Sequence, residues 1–180
     1  MSRAARSASR RRHARLDPVL YARAGSICSV TAAVLDRRPV FSNPAVAAAV
    51  VDVLKAHAAR TGVTVHGYCV MPDHVHLVLS ASPTCDLITF VGQFKNPPQR
   101  AAWALGTHGA FWQKSFWDHF LRAHEQVEAV VSYVLNNPVR AGLATHWREY
   151  PFAGSLAIDL SPTDGGGGQA PALPNSWTGS

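Results

Sequence analysis

The chain has 180 residues, 47% of them hydrophobic, which is enough for one domain with a buried core and too few for two ordinary ones. No stretch approaches the roughly 20 apolar residues of a membrane span, no apolar segment follows the basic N-terminus as in a secretory signal, and the three cysteines (Cys28, Cys69, Cys85) form no C-x-x-C pair, so a soluble cytoplasmic protein without disulfides or structural zinc is predicted. The net charge of +6 is carried by six arginines ahead of Asp17, because the other 11 basic residues match the 11 acidic ones; such a tail suits phosphate backbones, or simply solvent.

Residues 1–20, which include the DNA-contact candidates Arg11 and Arg12, have no hydrophobic period and are predicted to be a disordered arginine-rich tail. The apolar, β-branched run Ser26 to Leu35 predicts a strand. Asn43-Pro44 is a helix start, with asparagine as N-cap and proline in the first turn, and the following apolar spacing carries that helix to about Arg60. Val63 to Met71 and His74 to Ser80 read as a hairpin turned at Pro72-Asp73. A second helix is predicted from Asp86 to about Trp103, kinked or stopped at Pro97-Pro98. Ser115 to Leu121 reads as a fourth strand and Glu125 to about Asn137 as a third long helix. This order predicts an α+β, ferredoxin-like (split βαβ) antiparallel sheet with helices on one face and an extra C-terminal helix. The domain is placed at 21–158, and the Gly/Pro/Ser-rich residues 159–180 are predicted to be a second disordered tail.

The stretch MPDHVHLVL, Met71 to Leu79, sets two histidines in an apolar strand. Alternation puts Val75, Leu77 and Leu79 on the core side and projects His74 and His76 together from the other face, within reach of one ion. An isolated H-x-H pattern, short and common, more often means one histidine bonded to a neighbour and the other half exposed. On the third helix, Val127, Val130, Val131, Val134 and Leu135 form an apolar stripe. Tyr133 lies roughly a third of a turn off that stripe and Asn137 one turn beyond it, which fits either a presented tyrosine or one at the rim of the core. Asn137-Pro138 also fits a simple helix end, a role compatible with a metal-facing amide.

VMPDHVHLVL (Val70 to Leu79), FWQKSFWDHFLR (Phe111 to Arg122) and YVLNNPVRAGL (Tyr133 to Leu143) together resemble the HUH single-tyrosine transposases of bacterial insertion sequences, in the REP-associated tyrosine transposase branch. The resemblance runs from about Ser26 to Ser155. It implies a transposase: metal-dependent cleavage and rejoining of single-stranded DNA near hairpins through a 5′-phosphotyrosine, by a homodimer. It further implies that His74, His76 and Asn137 hold magnesium or manganese and that Tyr133 is the nucleophile. Two imidazoles and an amide are neutral donors, which leave the ion's charge available to phosphate. Lys95 matches the family's lysine, and with Lys114, Arg122, Arg140 and Trp112 it joins the candidates for contact with DNA, where basic and aromatic side chains hold phosphates and stack bases. His119 and His124 are nearby in sequence.

Asp73 departs from the family's usual asparagine and puts a carboxylate beside the histidine pair. The prolines after Lys95 and the loosely matching YPFAGS segment, Tyr150 to Ser155, are further departures. Two other readings stand beside the transposase. One is a domesticated nucleic-acid-binding module without turnover, against which the intact histidines and tyrosine argue. The other is an unrelated metal hydrolase, which leaves the tyrosine helix unexplained.

Overall fold

A computed structural model of the protein describes residues 17–106, 108–122, 126–158 and 160. The arginine tail with Arg11 and Arg12, His124, and the Gly-rich segment lie outside the described residues.

The described chain opens with a short helix, α1 (Pro18–Ala22), where a continuing tail was expected. Asp17 caps it by accepting from the Val19 amide at 3.0 Å, and Tyr21 is buried. The Tyr21 hydroxyl donates to Asp118 Oδ2 at 2.6 Å, and its ring meets Phe120 edge-on. One anchoring residue gives no hydrophobic period, so periodicity had nothing to register here.

Then come β1 (Ile27–Ala33), α2 (Pro44–Thr61), β2 (Thr64–Met71), β3 (His74–Ser80), α3 (Leu87–Ala104), β4 (Trp117–Phe120), α4 (Val127–Leu135), α5 (Asn137–Arg140) and β5 (Ala153–Gly154). The strands lie in the order β4-β1-β3-β2-β5, with every pairing antiparallel. The first four make the ferredoxin-like sheet expected from the sequence, and β5 extends its β2 edge. Asn43 caps α2 by accepting from the Ala45 amide at 3.0 Å, and Gly62, at φ 69, closes it in the left-handed conformation that glycine adopts without strain.

Helix α3 passes through Pro97 and Pro98 instead of stopping there. Each interior proline removes a helix hydrogen bond and costs about 3 kcal/mol or more. Contacts from outside the helix gather at this turn: Pro98 is buried, the Trp112 indole donates to the Lys95 carbonyl at 2.6 Å, and the Lys95 ammonium donates to the carbonyls of Gln113 and Ser115 at 3.1 and 3.2 Å.

Cores cover both faces of the sheet. On one, Val75, Leu77 and Leu79 of β3 pack with Val30 and Ala32 of β1 against α2 and α3. On the other, Cys69, Met71 and Val78 meet Val130, Val131, Val134 and Leu135 of α4. A helix of nine residues is marginal alone. Burying four aliphatic side chains at about 1.5–3 kcal/mol each holds it on the sheet. Gly67 permits the close seat, since a Cβ there would stand 3.1 Å from Val131 Cγ1.

The expected third long helix is divided. Helix α4 ends at Leu135 and α5 starts at Asn137. Pro138 has no amide to offer the Val134 carbonyl, and Asn137 Nδ2 donates to that carbonyl instead at 3.0 Å.

Candidate active site

Strand β3 alternates as expected: Val75, Leu77 and Leu79 face α2 and α3, while His74 and His76 emerge on the face that α4 only partly covers. The register aligns His74 with Ala33 of β1 and Met71 of β2, and His76 with Thr31 and Cys69. The two imidazoles are nearly perpendicular, and their Nε2 atoms are 2.9 Å apart. Two nitrogens each about 2.1 Å from one ion and about 90° apart around it would be separated by about 3 Å. The pair therefore fits two adjacent positions on a single octahedral ion.

The remaining nitrogens are held from behind. His74 Nδ1 lies 2.5 Å from Asp73 Oδ1, and His76 Nδ1 lies 2.9 Å from Thr31 Oγ1. Asp73 also receives Arg37 Nη1 at 3.4 Å. Arg37 and Asp36 sit in left-handed backbone at φ 53 and 58, a conformation that costs a residue other than glycine about 1–3 kcal/mol. Burial lowers the His74 pKa, against the hydrogen bond that it donates to Asp73, which raises it. Burial also pushes His76 down to about 3, helped by the nearby charges of His74, Arg140 and Arg37. Both rings are thus neutral at neutral pH, the form that ligates metal. Cys69, beside His76, is pushed up to about 12 by burial and its thiol points to Met71 Sδ at 3.6 Å, so it is a protonated core residue. Among the described residues no group of three or more His, Cys, Asp and Glu could hold a metal; further positions on an ion would fall to amide, hydroxyl, phosphate or water.

Tyr133 is half-buried at the edge of the α4 core. The Arg140 guanidinium stacks on its ring, 3.7 Å from the centroid, and donates to the Tyr133 carbonyl at 3.1 Å and to Asn137 Oδ1 at 2.7 Å. Tyr133, Asn137 and Arg140 thus form one cluster. The charge of Arg140 links it to the histidines, since it is felt by both His76 and Cys69. Asn137, the third metal ligand implied by the resemblance, is engaged within this cluster. Its oxygen accepts from Arg140 and its nitrogen donates to Val134 and Tyr133, so all its side-chain hydrogen bonds stay at the helix junction that Pro138 creates.

The DNA-contact candidates divide. Lys114 is exposed just before β4, close to the His74 end of the sheet, because the next amide back, Gln113, donates to the carbonyl of Ala33 opposite His74. Arg122 is exposed after β4, at the other end, in a cleft of about 460 Å³ shared with Arg23. Lys95 and Trp112 are turned toward the fold. Lys95 is buried and Trp112 packs on Phe41, Phe94 and Phe111, so both fasten α3 to the segment before β4. An exposed aromatic on the histidine face is Trp117, 50% exposed. It pairs with Thr31, which pairs with His76, so the three stand in one row across β4, β1 and β3. Trp117 belongs to the aromatic and basic stretch FWQKSFWDHFLR that the sequence singles out for stacking bases, whereas sequence reasoning missed Thr31 and Arg37 altogether. Only Asp73 carried a local signal, its departure at the histidine motif.

Residues 27–137 match the family described as "Transposase IS200 like". A REP-associated tyrosine transposase of Escherichia coli (strain K12) is 26% identical over 106 residues, 57% of this chain and 62% of that protein. A Haemophilus influenzae protein assigned to the same group is 22% identical over 113 residues, 55% of this chain and 64% of that protein. The chain thus spans just under two thirds of the length of these curated relatives. A solved structure described as a REP-associated tyrosine transposase bound to a REP hairpin shares the fold, with a TM-score of 0.57 and 17% identity over 73% of this chain and 77% of its own.

Proposed function

Because the chain belongs to the IS200-like transposase family, we propose that it cleaves and rejoins single-stranded DNA beside a hairpin, with Tyr133 as nucleophile and a divalent ion held by His74 and His76. The observation that carries this reading is the 2.9 Å bite of the two Nε2 atoms, beside a helix that presents Tyr133 under a guanidinium. The relative bound to a REP hairpin supports hairpin DNA as the partner.

Magnesium or manganese, when bound, would neutralise charge at a non-bridging oxygen of the scissile phosphate. The Tyr133 oxygen forms the new bond to phosphorus as the bond to the 3′ oxygen breaks. The phenolic proton ends on that oxygen, leaving a 5′-phosphotyrosine and a 3′-hydroxyl; rejoining reverses the step. Arg140 puts a cation where negative charge develops on the phosphoryl group. A phosphate taken up by Arg140 competes with Asn137 Oδ1 for the guanidinium, which returns that amide oxygen to service as a donor to the ion. Lys114 and Trp117 hold the strand on the open half of the face, by charge and by stacking. Two such chains act together as a homodimer.

The test is a labelled hairpin oligonucleotide from the repeats flanking the gene, incubated with protein and Mn²⁺ and resolved under denaturing conditions. The expected result is a slow covalent species that is absent with chelator, absent with His74→Ala, and absent with Tyr133→Phe although Tyr133→Phe still binds the hairpin. A covalent species that persists in Tyr133→Phe removes the assigned nucleophile. Hairpin binding with no covalent species from the native chain points to a binding module without turnover.

A further inference from the structure

With both rings neutral, the hydrogen bonds behind the two histidines set where their protons lie. The Asp73 carboxylate, paired with Arg37, only accepts, so the proton of His74 sits on Nδ1 and its Nε2 presents a lone pair. His76 Nε2 stands 2.9 Å from that lone pair, and two lone pairs repel at that distance, so His76 Nε2 carries a proton and donates it to His74. His76 Nδ1 is then an acceptor, and the group 2.9 Å away is the Thr31 hydroxyl, which donates. A chain of donors runs from Thr31 through His76 and His74, with each step set by its neighbour.

This arrangement does not suit both rings equally for ligation. An ion needs a lone pair on both Nε2 atoms; His74 already offers one and His76 does not. We propose that Asp73 and Thr31 are positioning residues that set the tautomers of the pair: Asp73 fixes His74 permanently in the ligating form, and Thr31 allows His76 to switch its proton from Nε2 to Nδ1 when an ion enters. The proton leaves Nε2 and one is added at Nδ1 through solvent, so the ring stays neutral. The Thr31 hydroxyl turns from donor to acceptor, a reversal open to a hydroxyl and closed to an aliphatic side chain. Partners of this kind behind ligating histidines are commonly worth about 10–100-fold in metal affinity. The inference rests on the metal reading proposed above and adds to it the residues that prepare the two ligands.

Two measurements on the full chain without DNA test it. Long-range proton–nitrogen spectra of the histidine rings, recorded without metal, are expected to show His74 protonated on Nδ1 and His76 on Nε2, with His76 converting to the Nδ1 form on addition of Mg²⁺. Calorimetric titration with Mn²⁺ is expected to give about 10–100-fold weaker binding in Thr31→Val and Asp73→Ala. Thr31→Ser should restore affinity to near the native value and Asp73→Asn, which keeps an acceptor oxygen, should restore part of it. Purely structural roles for these side chains would not produce the tautomer change. His76 already in the Nδ1 form without metal, or Thr31→Val binding Mn²⁺ as tightly as the native chain, overturns the proposal. A native chain that shows the expected metal-free tautomers yet binds neither ion would overturn the metal reading instead.

Discussion

The two faces of the sheet are built from the same alternating strands and are used differently. On the face toward α2 and α3, Val30 and Ala32 of β1, Val70 of β2 and Val75, Leu77 and Leu79 of β3 are aliphatic and fully buried, so each contributes by area and shape. On the opposite face, β3 carries His74 and His76 at positions of the same period, and α4 covers β2 and the Val78 end of β3. The uncovered half holds Thr31 and exposed Trp117 in line with His76. One strand can therefore serve as core and as site at once, because neighbouring residues belong to different environments.

Neighbouring substitutions in β3 offer the sharpest way to break this comparison. His76→Ala removes one side of the proposed ion site and is expected to lower metal-dependent cleavage by about a thousandfold, several kcal/mol of transition-state stabilisation, with little change in the unfolding midpoint. Leu77→Ala, one residue on, should cost about 2–5 kcal/mol of stability in a urea titration and leave Mn²⁺ affinity of the folded fraction unchanged. Equal effects of both changes on both measurements would erase the distinction between the faces.

The two tryptophans give a second contrast. Trp112→Ala should destabilise the fold by about 3–5 kcal/mol, since the ring packs among Phe41, Phe94 and Phe111. Trp117→Ala should spare stability and weaken single-stranded DNA binding by about 1–3 kcal/mol, the worth of one stacked base, measured by fluorescence anisotropy. The reverse pattern would return Trp112 to the DNA surface.

The smallest expected effect concerns a histidine remote from the site. His57 is buried, stacked on Phe90 and bonded to its carbonyl, and burial lowers its pKa. The unfolded chain takes up a proton near pH 6.5 that the native chain resists, so stability is full above that pH and declines as pH falls below it. The slope from one such group is at most about 1.4 kcal/mol per pH unit. Thermal midpoints between pH 7.5 and 5 should fall less steeply in His57→Phe than in the native chain. His66, His74 and His76 contribute with the same sign, so a residual slope is expected.

Much of this was legible in the sequence because it is local. Alternation in β3 placed the histidines, Asn43-Pro44 placed the start of α2, and the order of elements gave the sheet. What escaped depends on contacts between distant residues. Tyr21 needs Asp118 and Phe120 to hold α1. The prolines of α3 lie where Trp112 and Lys95 tie the helix to another segment. The resemblance implies Asn137 as a ligand, but only the structure shows its amide also satisfying the Val134 carbonyl that Pro138 leaves open. Thr31 comes beside His76, and Trp117 into line with both, only through strand register, which two separate segments decide jointly.

The central claim is that Tyr133 forms a covalent bond to DNA with the help of the histidine pair. The most direct measurement is peptide mapping by mass spectrometry after the Mn²⁺ reaction with the flanking hairpin DNA and nuclease digestion. The expected result is a nucleotide phosphate attached to the peptide containing Tyr133, at that residue, and none in the presence of chelator. Attachment to Tyr21, Tyr68 or Tyr150, or full attachment in the chelated sample, would contradict it.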